Sequence, residues 1–358
     1  MAIRSVSHAV GETADYCGER MKMSNIKEVA RKSGVSPSTV SNVFTNKRPV
    51  NAKTRELVLR VSRELNYIPS VMASSNITKQ TNIIGFFFDT GSDDYSDLDS
   101  DMIKGCTITA AENGRRLTLY YGIRDKQELF STLRSGCQPI DGAILTLPHS
   151  DDIRLDAVTS QSVPYVIIGG PYVDDPRVMS VDVDNKKVAY RITSHLIALG
   201  HRRIAMFNYK KGYTVARDRL KGYLEALRDH AIPVDDRLIL HIGKTENDGV
   251  EATSALLKNC PFTAVIVSMP EVAKGVYAVI ENNGLRVGRD ISVASFNPDF
   301  SGLNPPLSCG NPDYVKLGSL AVQSLIRYIQ DPDFENRRTL LEVETVYTDS
   351  CGPCPRGL

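Results

Sequence analysis

The chain runs to 358 residues, 42% of them hydrophobic, enough to build two or three compact units with sizeable cores. No apolar run approaches the ~20 residues that crossing a bilayer takes, and the opening MAIRSVSHAVGETADYCGERMKM lacks the apolar stretch of an export signal, so a cytoplasmic protein is expected. The 43 Lys and Arg nearly balance the 42 Asp and Glu, and seven cysteines scattered over the chain exclude a disulfide framework and suit a reducing compartment.

The first strong pattern is NIKEVARKSGVSPSTVSNVF, residues 25–44. Asn25 can cap a helix, with Glu28 completing a capping box, and Ile26, Val29 and Ala30 share one face. Gly34 supplies a left-handed stop and Val35 a buried corner. Ser36 then caps a second helix that opens on Pro37 and buries Val40, Val43 and Phe44. Two short amphipathic helices with a tight break between them read as a helix-turn-helix. The outer face of the second carries Ser38, Thr39, Ser41 and Asn42, small hydrogen-bonding side chains that suit base edges in a major groove and would equally suit a solvated surface. Charge separates the two readings. From residue 24 to 80 ten basic residues face three acidic ones, a net of +7 offset by an acidic balance elsewhere in a near-neutral chain, as phosphate binding requires.

A third helix is expected from Asn51, its cap, to about Leu65, with Leu57, Val61 and Leu65 as its buried stripe. Asn51 and Thr54 at its amino end are candidate phosphate contacts. A polar linker follows at 70–81. From Asn82 the texture changes to short apolar runs alternating with amphipathic stretches. Strands are expected at 83–88, 116–121, 142–147, 164–169, 203–208, 238–242, 263–268 and 291–296, with helices at 98–114, 126–135, 151–161, 185–199, 214–230, 248–258 and 271–283. This is the pattern of two doubly wound parallel sheets, with a ligand cleft expected between them at the strands' carboxyl ends.

No GxGxxG follows a strand, no Walker sequence occurs and no histidine pair has metal spacing, so neither catalytic residues, nor a metal, nor a cofactor is expected. His201 is expected to hydrogen-bond the last carbonyls of a helix end. Cys351 and Cys354 form a lone CxxC in a Pro- and Gly-rich tail, 350–358, expected to fray.

The run VARKSGVSPSTVSNVFTNKRPVNAKTRELVLRVSRELNYIPS resembles the DNA-binding headpiece of the lactose and galactose repressor family of bacterial transcription regulators. VDVDNKKVAYRITSHLIALGHRRIAMF, ARDRLKGYLEAL, AKGVYAVIENNGLRVGRDISVASFN and PPLSCGNPDYVKLGSLAVQSLI are similar to segments of that family's core. The resemblance implies an all-α helix-turn-helix headpiece at 24–69, a hinge linker at 70–81, and an α/β two-lobe core at 82–349, like the periplasmic sugar-binding proteins. Its first lobe would comprise about 82–183 and 312–340, its second about 184–309 and 341–349. Residues 1–23 match nothing in the family and are expected to be a disordered arm or an over-long gene start, Met21 or Met23 offering later ones.

By the same resemblance Pro37, Ser38 and Asn42 occupy base-reading positions. The hinge departs from the pattern. Asn76 stands where a wedge Leu inserts into the minor groove, and Met72 and Ala73 are expected to pack the hinge. In the cleft, Arg217 stands at the ligand-anchoring Arg, while Gly169, Met269 and Asn297 replace polar or acidic residues. Phe87 is a candidate aromatic wall. A cleft short of carboxylates suggests an anionic or more apolar effector. The implied protein is a homodimer on a pseudo-palindromic double-stranded operator, mostly a repressor in relatives, responding to a small molecule or a partner protein. The alternative is a solute-binding protein without DNA function.

Overall fold

The computed structural model describes residues 25–45, 48–65, 67, 81–89, 97–123, 125–134, 140–171, 175, 177–299, 301–335 and 337–355. The amino-terminal extension and the hinge candidates Met72, Ala73 and Asn76 lie outside these residues. The chain divides into two compact units, Met1–Thr81 and Asn82–Leu358.

The first unit holds α1 (Ile26–Ser33), α2 (Pro37–Thr45) and α3 (Ala52–Glu64). Asn25 Oδ1 accepts the Glu28 N–H at 3.0 Å, and Gly34 ends α1 at φ +67°, where a Cβ would be strained. Ser36 Oγ accepts the Thr39 N–H at 3.1 Å and so caps α2. Val29, Ala30, Val40, Val43, Val58 and Val61 form the core. The expected stripe on α3 is corrected: Val58 and Val61 are buried, and Leu57 and Leu65 sit at the rim. A spacing of four winds ~40° around a helix at each step, so 57, 61 and 65 drift off the face that a spacing of three wins back.

The second unit runs β1 (Ile83–Phe87), α4 (Asp97–Glu112), β2 (Arg116–Tyr120), α5 (Lys126–Arg134), β3 (Gly142–Thr146), α6 (Ile153–Ser160), β4 (Tyr165–Ile168) and β5 (Ser180–Val183). It continues with α7 (Asn185–Ala198), β6 (Ile204–Asn208), α8 (Thr214–Asp229), β7 (Ile239–His241), α9 (Glu246–Asn259), β8 (Ala264–Val267), α10 (Pro270–Asn282) and β9 (Ser292–Ser295). Last come β10 (Ser308–Asn311), α11 (Tyr314–Gln330), β11 (Arg338–Leu341) and β12 (Glu344–Val346). One sheet, β11-β5-β4-β3-β1-β2, is parallel throughout. The other, β12-β10-β9-β8-β6-β7, is parallel apart from the β10–β12 pair. The chain passes between sheets after β5, β10 and β11, which makes two lobes joined by three passages. Hydrophobic periodicity picked out the eight longer runs. It passed over β5 (SVDV), β10 (SCGN), β11 (RTLL) and β12 (ETV), whose polar residues break any continuous apolar run.

Two buried polar groups tie strand ends together, one at the carboxyl ends in the first lobe and one at the amino ends in the second. In the first lobe, Arg154 is 1% exposed and pairs with Asp152 through Nε at 2.8 Å and Nη2 at 2.6 Å. It also donates to Phe87 O at 3.1 Å and Thr146 O at 2.6 Å, which ties the carboxyl ends of β1 and β3 together. In the second lobe, His201 Nε2 lies 3.0 Å from Gly352 O, an acceptor only, so the proton sits on Nε2; Nδ1 then accepts from Thr263 Oγ1 at 2.9 Å.

Two expectations are thereby corrected. The His201 ring serves an interior junction, not a helix end, and burial holds its pKa below the usual imidazole value. The tail does not fray through 355. Ser350 is fully buried, with Oγ donating to Val293 O at 2.8 Å, and Cys354 N–H bonds Leu199 O at 2.8 Å, because the end of β9 and the end of α7 need those partners.

Arg154→Ala would leave Asp152 buried and unpaired. The expected loss is about 3–5 kcal/mol of stability, read as a lower midpoint in urea unfolding; an unchanged midpoint would show that the pair does not hold the strand ends.

Candidate nucleic-acid interface and cleft

On α2 the apolar side is closed against the other helices, and Ser36, Pro37 and Ser38 are exposed while Thr39, Ser41 and Asn42 are half-buried. Ser36 Oγ lies 2.7 Å from Ser38 Oγ and 2.9 Å from Thr39 Oγ1, so the hydroxyls at the amino end of α2 form one small hydrogen-bonding group. Asn25 and Asn51 are exposed caps at the amino ends of α1 and α3; Asn51 Oδ1 takes the Lys53 N–H at 2.9 Å, and Thr54 is half-buried one turn in. The surrounding cations Lys27, Arg31, Lys32, Lys53, Arg60 and Arg63 are exposed. Donor-rich helix amino ends in a field of surface cations are what contact with a phosphate backbone requires.

The second unit encloses a cavity of about 130 Å³ between its lobes. Its walls are the residues just past the strands: Phe88 and Asp89 after β1, Leu147 and Pro148 after β3, Gly169 after β4, Tyr209 after β6, Met269 after β8 and Asn297 after β9. Both sheets therefore point their carboxyl ends into it, as doubly wound folds do at ligand sites.

Its floor is Arg219 on α8, 6% exposed. Nε donates to Asn185 Oδ1 at 3.1 Å, Nη1 to Ser268 O at 3.2 Å, and the guanidinium lies over the Phe296 ring at 4.5 Å. Burial lowers its pKa to about 10, which leaves it charged at neutral pH. Asp182 supplies negative charge from the first lobe. Burial, reinforced by the nearby Asp218 carboxylate, pushes its carboxyl up to about 7, against the hydrogen bonds that Oδ1 accepts from Val183 N–H at 2.7 Å and Asn185 Nδ2 at 3.2 Å.

Several bonds cross between the lobes. Tyr314 Oη donates to Asn297 Oδ1 at 2.6 Å and Tyr213 Oη to Asp89 Oδ2 at 2.9 Å. Thr214 N–H reaches Pro148 O at 3.3 Å and Ser150 N–H reaches Gly212 O at 3.1 Å, so the loops after β3 and β6 meet as an antiparallel bridge.

Of the five residues expected in the cleft, Gly169, Met269 and Asn297 line it, and Arg217 and Phe87 do not. Arg217 pairs instead with its neighbour Asp218 at 2.9 Å. The buried residues of α8 include Ala216, Arg219, Tyr223 and Ala226, spaced three or four apart, so Arg219 is in phase with the inner face and a residue two places earlier is out of it. That phase was readable in the sequence. Phe87 points the other way from Phe86 and Phe88, stacking on Tyr120 at 4.4 Å, because side chains alternate along a strand; Phe88 is the wall. The picture of a carboxylate-poor cleft is also corrected, since Asp89, Asp99 and Asp182 line it from positions the family comparison did not mark.

The profile described as bacterial regulatory proteins, lacI family, matches residues 25–70, and that of a periplasmic binding protein-like domain matches 193–351. The lacI-family match falls on the three-helix unit. It is 29% identical to the HTH-type transcriptional regulator MalR of Streptococcus pneumoniae over 315 residues, which is 86% of this chain and 93% of that protein. It is likewise 29% identical to the ribose operon repressor of Haemophilus influenzae, over 89% of this chain and 96% of that one. Among solved structures it superposes on the lac repressor dimer bound to operator and the anti-inducer ONPF with a TM-score of 0.78 at 26% identity, covering 92% of this chain and all of that one. The CelR–cellobiose complex matches with a TM-score of 0.71 at 26% identity over 91% of this chain and 99% of that one. These likenesses make the chain a DNA-binding transcription regulator with an effector-binding core. No helix among the described residues is long and apolar enough to cross a membrane.

Asp182 gives the cleft a pH signature. A carboxyl whose folded pKa is raised from ~4 to about 7 binds more protons when folded, so its effect on stability is most favourable at low pH and is lost as pH rises through that window. Asp182→Asn keeps the acceptor oxygen and removes the titration. Relative to wild type the variant is expected to gain ~2–3 kcal/mol between pH 5 and pH 8, read by thermal unfolding at both values; identical pH dependence in the two proteins would contradict the shift.

Proposed function

We propose that the protein is a cytoplasmic repressor that acts as a homodimer on a pseudo-palindromic operator, takes a small-molecule effector between its lobes, and catalyses no reaction. The observation that carries this reading is the joining, in one chain, of a capped helix presenting Ser38 and Asn42 outward to a two-lobe cavity lined by the strand ends. Pro37, Ser38 and Asn42 read bases in this account, and Asn25, Ser36, Thr39, Ser41, Asn51 and Thr54 hold the phosphates. The solved relatives support the effector role: CelR is complexed with cellobiose, and the lac repressor dimer with operator and anti-inducer.

Coupling follows from connectivity. The DNA-binding unit joins the core through the chain that enters β1, a first-lobe strand, so any lobe motion that shifts β1 shifts the attachment point in both protomers. An effector that favours one lobe arrangement then changes operator affinity by its differential affinity for the two arrangements.

Selection of bound sequences from a random duplex pool, at fixed salt, tests the reading. A palindromic consensus is expected; folded protein that enriches nothing would overturn it and favour a solute-binding protein. On the selected operator, Asn42→Ala is expected to cost about 1–3 kcal/mol with relaxed preference at a single base position. A loss equal on every sequence would make Asn42 a backbone contact.

A further inference from the structure

We propose that the cleft takes a small hydroxylated solute carrying a protonated primary amine, an amino sugar being the simplest of the class, with its ammonium seated against Asp89. The proposal rests on the reading of the cleft as an effector site and adds the chemistry of what fills it.

Asp89 is 3% exposed and lines the cavity. Its two oxygens differ. Oδ2 accepts from Tyr213 across the lobes, while Oδ1 is buried with no hydrogen-bond partner among the described residues; His149 Nε2, 3.7 Å away, is too far for a hydrogen bond and forms an ion pair with it only when protonated. A buried carboxylate oxygen without a donor is costly, and a solute able to supply both a hydrogen bond and a positive charge recovers most of that cost. The surroundings suit a cation. Phe88, Tyr121 and Tyr209 wall the same cavity with aromatic rings. Tyr209 is pushed up to about 12, by burial first and then by the negative fields of Asp89 and Asp99. Lys244 and Asp99 also reach this space, and both are engaged in interactions of their own.

The opposite pole differs in charge. There Arg219 has Asp182 beside it, and the Asn185 and Asn297 amides complete the wall. A nearly compensated pole rich in donors and acceptors suits hydroxyl groups. A cavity of about 130 Å³ admits a single sugar ring. An anionic solute would meet Asp89 and Asp99 at the aromatic end of the cavity. Because Oδ2 of the same Asp89 holds Tyr213 of the second lobe, an ammonium on Oδ1 also bears on the bond that holds the lobes together.

Calorimetric titration of the full-length protein with D-glucosamine and D-galactosamine, each compared with its neutral hexose and its N-acetyl derivative, tests the assignment. At least one free amine is expected to bind at least about tenfold more tightly than both its uncharged twins. Asp89→Asn, which keeps an acceptor for Tyr213, is expected to erase that preference. Should the variant fail to fold, the wild-type pH series decides: affinity falls as pH is raised past the amine's pKa, ~8 for an amine of this kind. Equal binding of the uncharged twins, a preference that survives in Asp89→Asn, or a flat pH series would overturn the assignment. Neutral hexoses or hexuronates binding without an amine preference would leave the effector reading intact. No binding by any member of the panel, by protein that still holds its selected operator, would remove the amine and the effector cleft together.

Discussion

The second unit depends on a charge that the chain had to bury. Arg219 lies at the junction of the lobes, and a guanidinium there survives only if its donors and its charge are answered on every side. The answers come from separate elements. Asn185 opens α7, Ser268 follows β8, Phe296 follows β9, and Asp182 belongs to the first lobe. One side chain thus fixes the distance between α8 and three strand ends. The cleft is the space left over.

The same logic of answered polar groups runs through the rest of the core. Arg154 closes the first lobe from beneath by binding the carbonyls of Phe87 and Thr146, and those residues lead directly into the cavity wall. His201 closes the second from the far side by gathering Thr263, Ser292 and the tail at Gly352. Arg154 orders the carboxyl ends that present the cleft, and His201 orders the amino ends of β8 and β9 opposite it. Asp89 is the exception. Among the described residues one of its oxygens has no hydrogen-bond donor, and in the proposal above that makes it the residue on which the effector's chemistry turns.

Much of this was legible in the sequence, for reasons that can be named. The caps at Asn25, Ser36 and Asn51 are local chemistry, since a side-chain oxygen two or three residues from the N–H it serves needs no tertiary information. The long strands declared themselves by unbroken apolar runs. Tertiary geometry was less legible. Two arginines two residues apart, 217 and 219, cannot both face inward on a helix, and only the phase of Tyr223 and Ala226 tells them apart. Three successive phenylalanines on one strand likewise hide which of them is the wall. The lone acids Asp89 and Asp182 carry no motif, and their weight comes from burial that the sequence does not display. The tail read as frayed because its Pro and Gly content has no period, yet its backbone supplies partners that the second lobe lacks.

The most direct test of the account is the operator affinity of the full-length protein and of Arg219→Ala, measured at one salt concentration with and without a protein-free bacterial metabolite fraction. Wild type is expected to shift its affinity by about fivefold or more, and the folded variant to lose that response whatever its own basal affinity. An Arg219→Ala protein that responds as fully as wild type would contradict it.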